Sequence, residues 1–306
     1  MANKTKITKR TGQFFSRQIF RLFKALVWVV PPRIGLVLGY VLSQFAIHCV
    51  PTVRKRVMQN LILIWGGKKK LSELRKIAQD FAYHMVQMGI ETIWAIKNPE
   101  LISSRLTLQG EKNLKQALSR KKGVLLLTGH LGPFTLLASR QANGGYPIAM
   151  LIRQMADRKV EKDFQELRDQ LGINTIVSYP RAEGVRNALR WLRQGGILAI
   201  LIDQRFKTGV FVDFLGRKCY TPTGLATFAM RTGAPVIPAF IVRTGIMKYQ
   251  LIFGEEIPVV FPQLRYDASA KDRALTENMQ RFNNVLGKYV ERYPEQWFWL
   301  HRRWKT

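Results

Sequence analysis

Residues 123–137 read Gly-Val-Leu-Leu-Leu-Thr-Gly-His-Leu-Gly-Pro-Phe-Thr-Leu-Leu, and this segment is the most informative part of the chain. Val124–Leu127 is an apolar run of the length of a buried β-strand, Thr128-Gly129 predicts a turn, and residues compatible with a helix restart behind Pro133. His130 therefore lies just beyond the carboxyl end of a predicted buried strand. Because imidazole exchanges protons near physiological pH, a histidine in this position is a candidate general base.

Strand-like and helix-like segments alternate after this stretch. The predicted strands are rich in Val, Ile and Leu and comprise Val124–Leu127, Ile148–Ile152, Thr175–Val177, Ile197–Ile202, Val236–Val242 and Tyr249–Phe253. Helical periodicity predicts helices at Leu71–Lys97, Arg158–Leu171, Glu183–Arg193, Thr223–Thr232 and Ala268–Arg292. Nearly continuous apolar strands separated by helices predict an α/β fold with a mostly parallel central sheet flanked by helices.

The front of the chain is strongly basic. The 306 residues carry a formal net charge of +29, and many Lys and Arg residues precede Glu73, the first acidic residue. Such a block binds nucleic acid, an anionic membrane or an acidic protein. Two apolar stretches, Ala25–Val30 and Ile34–Val50, lie among these basic residues and favour the membrane, because nucleic-acid-binding arms rarely contain them. A nucleic-acid-binding protein is the weaker alternative.

We therefore predict that residues 1–60 form a basic, membrane-anchoring helical segment and that residues 61–306 form the α/β domain. As a helix, Ile34–Val50 is about 26 Å long at 1.5 Å per residue. This length is slightly below the ~30 Å of a hydrocarbon core, which leaves a spanning and an interfacial anchor both open. A buried helix of the soluble core is the third interpretation of this stretch.

The cysteine content excludes several kinds of site. Cys49 and Cys219 are the only cysteines, and they form no Cys-x-x-Cys pair. A disulfide framework and a structural zinc site are therefore not expected, and no metal or cofactor is predicted. The sequence also has no Gly-x-Ser-x-Gly elbow, so it does not predict a serine acyl-enzyme.

The four histidines differ in context. His48 ends the apolar stretch, His84 lies on the predicted long helix among aromatic residues, and His301 lies in a Trp- and Arg-rich tail. His130 alone lies at a strand-to-helix junction, so it is the predicted catalytic histidine.

The segment around His130 resembles the His-x4-Asp/Glu block of lysophospholipid and lipid A acyltransferases. Further blocks similar to the lipid A acyltransferases follow in the expected order between Pro31 and Lys305. They are Ile152-Arg153-Gln154, Leu167-Arg168, Ile202-Asp203-Gln204, Gly209–Gly216, Thr221–Gly224, Met230–Pro238 and Pro294–Lys305.

This resemblance implies a glycerolipid acyltransferase-like fold and a role in lipopolysaccharide biosynthesis at the bacterial inner (cytoplasmic) membrane, with the active site facing the cytoplasm. It implies transfer of a fatty acyl chain from an acyl carrier protein thioester, or from acyl-CoA, to a hydroxyl of a lipid A precursor. Another anionic phospholipid or glycolipid is the alternative acceptor. Nothing in the resemblance implies a cofactor.

The resemblance also implies roles for particular residues. His130 is the predicted base for direct attack of the acceptor hydroxyl, and the amides of Gly129 to Gly132, or a guanidinium, are candidate donors to the oxyanion. The guanidinium groups predicted to bind phosphate or sugar-acid carboxylate of the acceptor belong to Arg153, Arg168 and Arg231. Salt bridges on a helix surface are the alternative role for these arginines.

One position departs from the family pattern. Five residues after His130, where the family has an acid, this chain has Thr135, and no Asp or Glu occurs between Lys122 and Ala156. Either another acid replaces it, or the enzyme is slow, or the chain is a non-catalytic, lipid-binding relative. Asp203 is the candidate replacement because it ends a predicted strand, where α/β proteins place their sites; helix capping is its alternative role. Thr135 is itself a candidate catalytic residue through its position, and because its hydroxyl carries no charge, Thr135→Glu is expected to raise activity.

Overall fold

The computed structural model describes residues 18–19, 21–98, 100–139, 144–155, 157–263 and 267–305. Residues 21–29 are helical and are followed by three further helices, α1 (Pro32–Cys49), α2 (Pro51–Trp65) and α3 (Leu71–Lys97). Helix α3 has the bounds that the apolar periodicity predicts. Helix α1 packs closely on it because glycines face it: a Cβ on Gly35 would lie 2.9 Å from the Trp94 ring.

The rest of the chain alternates between strands and helices, as predicted. In chain order the elements are α4 (Glu100–Ser103), β1 (Leu106–Gln109), α5 (Glu111–Leu118), β2 (Val124–Thr128), β3 (Ile148–Ile152), α6 (Arg158–Gln170), β4 (Asn174–Val177), α7 (Arg181–Arg193), β5 (Ile197–Leu201), β6 (Val210–Phe214), β7 (Arg217–Thr221), α8 (Gly224–Thr232), β8 (Val236–Gly245), β9 (Lys248–Phe253) and α9 (Ala268–Arg292). Short 3-10 turns cover Phe134–Leu136 and Pro294–Gln296.

The central sheet has seven strands in the order β1-β9-β8-β2-β5-β3-β4. All neighbouring strands are parallel except β8 and β9, which confirms the mostly parallel sheet. Strands β2 and β5 pair in register, with Thr128 opposite Leu201. The residues that follow these strands, His130 and Asp203, therefore lie side by side at the carboxyl edge of the sheet.

Helices cover both faces of this sheet. Alternate residues of β2 belong to two different apolar clusters, Leu125 and Leu127 to one and Val124 and Leu126 to the other. The first cluster also contains Leu61 of α2, so this helix packs into the core. A strand buried on both faces has the continuous apolar sequence from which it was predicted.

No single helix among the described residues is both long enough and apolar enough to cross a bilayer. Residues 33–49 and α2 meet those requirements only as a pair, and the two helices are bent by 82° at the break between them. The predicted N-terminal membrane helix is therefore unconfirmed. Residues 1–17, which carry some of the basic residues of the N-terminal segment, lie outside the described residues.

The loop after β2 turns sharply at Gly132. Its φ of 64° is in the left-handed region, and a Cβ at this position would lie 1.9 Å from the backbone oxygen of Ile241 on β8. The chain then forms only the 3-10 turn at Phe134–Leu136, where the sequence had predicted the start of a helix. Glycine is required here by both the backbone angle and the space.

We therefore expect Gly132→Ala to lower the free energy of unfolding by about 2 kcal/mol or more, because it combines backbone strain with a clash against main chain. Chemical denaturation of the purified protein measures this change. Gly67→Ala is the matched control, since Gly67 has an unstrained φ and a Cβ there meets nothing within 4 Å. Equal stability of the two variants would contradict the prediction.

Candidate active site

The imidazole of His130 is held by a buried carboxylate. Nδ1 of His130 lies 2.8 Å from Oδ1 of Asp203, although the two residues are 73 positions apart in the chain. The other oxygen, Oδ2, accepts a hydrogen bond of 2.7 Å from the backbone amide of His130. Asp203 thus contacts both the side chain and the main chain of the candidate base and fixes its orientation.

Asp203 is 2% exposed and is charged despite this burial. Burial alone would raise the pKa of its carboxyl, but the electrostatic attraction of the His130 imidazole, the hydrogen bonds from His130 and the hydrogen bond from Trp297 lower it to about 2. The indole Nε1 of Trp297 donates to Oδ2 over 2.9 Å. Gly129 gives the carboxylate room, because a Cβ there would lie 3.0 Å from Oδ2.

The other ring nitrogen of His130 is available for chemistry. A charged carboxylate on Nδ1 favours the tautomer in which Nδ1 carries the proton, so Nε2 carries the lone pair that can accept a hydrogen bond or a proton. The side-chain amide nitrogen of Gln204 lies 3.1 Å from this Nε2. The His130 side chain is 18% exposed, and the rings of Phe134 and Phe298 lie against it. Nε2 is therefore positioned to take a proton from a bound hydroxyl group.

Thr135 has a different neighbour from the one that the family pattern suggests. Its hydroxyl lies 2.9 Å from the hydroxyl of Thr92 on α3. Thr135, at the position of the family acid, thus links the 3-10 turn to α3 through this hydrogen bond, and the carboxylate bonded to Nδ1 of His130 is that of Asp203. The prediction that Thr135→Glu raises activity consequently loses its basis, because the ring already has an orienting carboxylate.

The three predicted acceptor-binding arginines are not brought together. Arg153 is exposed and directly follows β3, at the same edge of the sheet as His130 and two strands away. Arg168 on α6 instead forms a salt bridge with Glu161, which is the alternative role given above for these arginines. The carboxylate of Glu161 also accepts a 2.7 Å hydrogen bond from the amide of Met155.

Arg231 lies at the wrong edge of the sheet for this site. It is exposed in the last turn of α8, and β8 begins soon after that turn. Strand β8 is parallel to β2, with Val236 opposite Leu125, so its start lies at the amino edge. Arg231 is therefore separated from His130 by the length of β2.

Two of the four amides proposed as oxyanion donors are already engaged. The amide of His130 donates to Asp203, and that of Gly132 donates to the carbonyl of Gln296 over 2.9 Å. Neither is available to a substrate oxygen in this arrangement. Both Gly129 and Gly132 also leave space that a side chain would fill, and the predicted role of the Gly129 amide as an oxyanion donor stays a prediction.

The C-terminal tail closes the site from one side. Leu131 pairs with Trp297 in an isolated antiparallel bridge, and the amide of Phe298 donates to the carbonyl of His130 over 3.0 Å. Trp297 and Trp299 are almost completely buried. The tail is therefore packed into the core rather than exposed at an interface. The sequence pattern of this tail does not identify Trp297 as a partner of Asp203, because the two residues are 94 positions apart in the chain.

Arg303 anchors the same tail, and among the residues that the structure describes no carboxylate lies at ion-pair distance from it. Its buried guanidinium donates to the carbonyls of Gln204 and Tyr220 and to the hydroxyl of Thr221, at 3.1, 2.9 and 2.8 Å. Burial lowers the pKa of this arginine from its ordinary value. These bonds fix the backbone just after Asp203.

A buried ion pair supports the His130 loop from behind. Arg243 on β8 pairs with Glu91 on α3 and also contacts Nδ1 of His84. Burial, and then the charge of Arg243, lower the pKa of His84 well below its ordinary value, so this ring is neutral. The side chain of Gln296 bonds to the amide and the carbonyl of Arg243, both at 2.9 Å. The network thus joins α3, β8 and the tail beside Gly132.

The two cysteines differ in their surroundings. Burial raises the pKa of the Cys219 thiol on β7, which disfavours the nucleophilic thiolate. Cys49 is exposed on α1. In the part of the chain that the structure describes, no three His, Cys, Asp or Glu side chains form a group that could hold a metal ion.

Comparison with known proteins identifies similar chains. The family model described as bacterial lipid A biosynthesis acyltransferase matches residues 4–306. The lipid A biosynthesis lauroyltransferase of Escherichia coli (strain K12) is 27% identical over 291 residues, which cover 92% of this chain and 89% of that protein. The lipid A biosynthesis myristoyltransferase of the same strain and lipid A biosynthesis acyltransferase 1 of Shigella flexneri are each 22% identical over 280 residues, covering 91% of this chain and 83% of either relative.

The depressed pKa of Asp203 predicts how stability depends on pH. Its folded-state pKa lies below the ordinary 3.8, so the charged carboxylate stabilises the fold above pH 3.8 and this contribution is lost as the pH falls towards 2. We expect the free energy of unfolding of Asp203→Asn to be lower than that of the wild type near neutral pH. The pH-dependent part of that difference, roughly 2 kcal/mol, should disappear over this acid interval.

Denaturant titrations of both proteins at several pH values measure the effect. Asp80→Asn is the control, because Asp80 on α3 forms a partly exposed pair with Lys76. A difference between wild type and Asp203→Asn that stays constant through the acid interval would contradict the charged state of Asp203.

Proposed function

This chain belongs to the family of bacterial lipid A biosynthesis acyltransferases and is an acyltransferase, and from this premise we propose how it acts. It transfers a fatty acyl chain from an acyl carrier protein thioester, or from acyl-CoA, to a hydroxyl of a lipid A precursor. The observation that carries the proposal is the pair formed by His130 and Asp203, in which Nδ1 faces a buried carboxylate and Nε2 faces outward.

In the proposed reaction the acceptor hydroxyl lies against Nε2 of His130. Nε2 takes the hydroxyl proton while the acceptor oxygen attacks the carbonyl carbon of the thioester. The resulting imidazolium is stabilised by Asp203, which stays ionised because its pKa is about 2. When the tetrahedral intermediate collapses, the carbon–sulfur bond breaks and the departing thiolate takes the proton from His130. The chain itself never carries the acyl group.

Arg153 is the proposed contact to the acceptor. It is exposed at the edge of the sheet that carries His130. A planar guanidinium binds phosphate in two parallel hydrogen bonds, so a phosphorylated lipid suits this position.

We further propose that the protein attaches to the membrane through α1. This helix exposes large apolar side chains, namely Ile34, Val37, Leu38, Tyr40, Val41, Leu42 and Phe45. The following helix α2 exposes the basic residues Arg54 and Lys55. An apolar face beside basic side chains is typical of an interfacial helix on anionic lipid.

The proposed membrane face adjoins the catalytic edge. Met247, at the tip of the β8–β9 hairpin, packs in one buried cluster with Leu36 of α1 and Trp94 of α3. Strand β8 runs towards the carboxyl edge of the sheet, where His130 lies. A lipid acceptor in the bilayer would therefore reach the site from the side of α1. Attachment to the cytoplasmic face of the bacterial inner membrane suits a thioester donor made in the cytoplasm.

A non-catalytic, lipid-binding relative is the competing interpretation, and Thr135 was its motivation. It is weakened because Asp203 supplies the carboxylate that Thr135 lacks.

Acyl transfer is the direct test. Purified protein incubated with an acyl carrier protein thioester and a lipid A precursor should yield a lipid heavier by one acyl chain, detected by mass spectrometry. His130→Ala should abolish this product, and Asp203→Asn should lower kcat by about 10⁴-fold, as in a serine protease triad.

Thr135→Glu should not raise the rate of acyl transfer. The new carboxylate would break the hydrogen bond between Thr135 and Thr92, and Nδ1 of His130 is already bonded to Asp203.

His48→Ala is the matched control, since His48 is an exposed histidine on α1. It should keep the wild-type rate. Lipid binding without product would favour the non-catalytic relative, whereas a product with other anionic phospholipids or glycolipids alone would reassign the acceptor.

Membrane attachment is tested with vesicles of phosphatidylethanolamine and phosphatidylglycerol. Val37→Glu combined with Val41→Glu should lower the vesicle-bound fraction by about tenfold or more, because two apolar side chains lose their burial in lipid. Phe261→Glu is the control, since Phe261 is also half-exposed but lies in the loop after Ile257, which pairs with Val236 at the amino edge of the sheet. Equal loss in both proteins would contradict a specific role of α1.

A further inference from the structure

Gln204 occupies the nitrogen on which the proposed reaction depends. Its side-chain amide nitrogen lies 3.1 Å from Nε2 of His130, while Nδ1 is taken by Asp203. We propose that Gln204 is a further catalytic residue whose amide donates a hydrogen bond to the oxyanion of the tetrahedral intermediate. This inference rests on the proposed acyl transfer.

The acceptor hydroxyl and the Gln204 amide compete for one place. An amide N–H group can donate to Nε2 only when that nitrogen carries no proton, so the observed contact belongs to the resting, unprotonated base. The hydroxyl must lie at the same hydrogen-bonding distance to give up its proton. The Gln204 amide therefore has to leave Nε2 when the acceptor binds.

The backbone of Gln204 cannot make this movement easily. Its carbonyl accepts from the buried guanidinium of Arg303 over 3.1 Å, and the next amide, that of Arg205, donates to Nε2 of His301 over 2.7 Å. Burial lowers the pKa of His301, which keeps this ring neutral and able to accept. Displacement is therefore confined to the exposed side chain, and its amide stays within reach of the reacting atoms.

The oxyanion forms close to the acceptor oxygen, which is the atom that displaces the Gln204 amide from Nε2. As the acceptor oxygen bonds to the thioester carbon, the carbonyl electron pair moves onto the carbonyl oxygen, which is bonded to the same carbon. The Gln204 N–H group donates to this oxygen without transferring its proton, and the bond is released when the carbon–sulfur bond breaks. The amides of His130 and Gly132 are engaged elsewhere, so Gln204 adds a side-chain donor at a site where two of the four candidate backbone donors are occupied.

Steady-state kinetics with Gln204→Met test the inference. Methionine has nearly the same length and no donor, so kcat should fall by about 10² to 10³ while KM changes little, as for other lost oxyanion donors. Gln204→Glu should lose at least as much, because a carboxylate repels the oxyanion. Lys207→Met is the control in the same loop, since Lys207 is exposed, and it should keep the wild-type kcat. Thermal unfolding verifies that every variant is folded.

A Gln204→Met enzyme that is as fast as the wild type, or faster, would overturn the inference, because the amide would then only cover the base. The proposed acyl transfer would survive that result, provided that His130→Ala remains inactive. A wild-type protein that forms no acylated lipid would overturn both.

Discussion

The site depends on keeping the carboxylate of Asp203 charged while it is 2% exposed. A buried charge is stable only when it is paired and hydrogen-bonded, and three groups meet that requirement here: the imidazole and the amide of His130 and the indole of Trp297. This arrangement places three requirements on the fold. Strands β2 and β5 must be neighbours so that His130 meets Asp203, Gly129 must lack a side chain so that the carboxylate fits, and the end of the chain must return to the sheet so that Trp297 reaches it.

The return of the chain end explains why so many polar groups are buried near this edge. Gln296 bonds to Gly132 and Arg243, and Arg303 bonds to the backbone after Asp203. Breaking one partner of such a network leaves another buried group unsatisfied, which is more costly than the bond itself. The His130 loop is therefore fixed from both sides, as catalysis by a preorganised base requires. The side chain that this scaffold leaves exposed against Nε2 is Gln204.

The two halves of the proposed function lie close together in the fold. The apolar surface of α1 suits lipid, whereas the carboxyl edge of the sheet carries the groups for proton transfer. The tip of the β8–β9 hairpin joins them through Met247, which belongs to the same buried apolar cluster as Leu36. This proximity suits a lipid acceptor that remains in the bilayer while only its hydroxyl group enters the site.

Local sequence patterns predicted six of the seven strands of the central sheet, all except β1, together with most of the helices and the candidate base. Buried strands and amphipathic helices have periodicities that are local properties of the chain, so β2, β3 and α3 were predicted almost to the residue. The hairpin of β6 and β7 was missed because its buried residues alternate with charged or partly exposed ones, so neither strand has the continuous apolar run of the core strands. His130 was found because its local context is unlike that of the other histidines.

Which residues meet at the site depends on the tertiary structure. Asp203 was a candidate from its position at a strand end, but its contact with His130 depends on β5 lying beside β2, which no local pattern encodes. The same order of strands separates Arg231 from the site, and the packing of α3 turns Thr135 towards Thr92. Trp297 could not be assigned because it arrives from 94 residues beyond its partner. Contacts of this kind arise from chain topology, whereas periodicity records only whether each residue is buried.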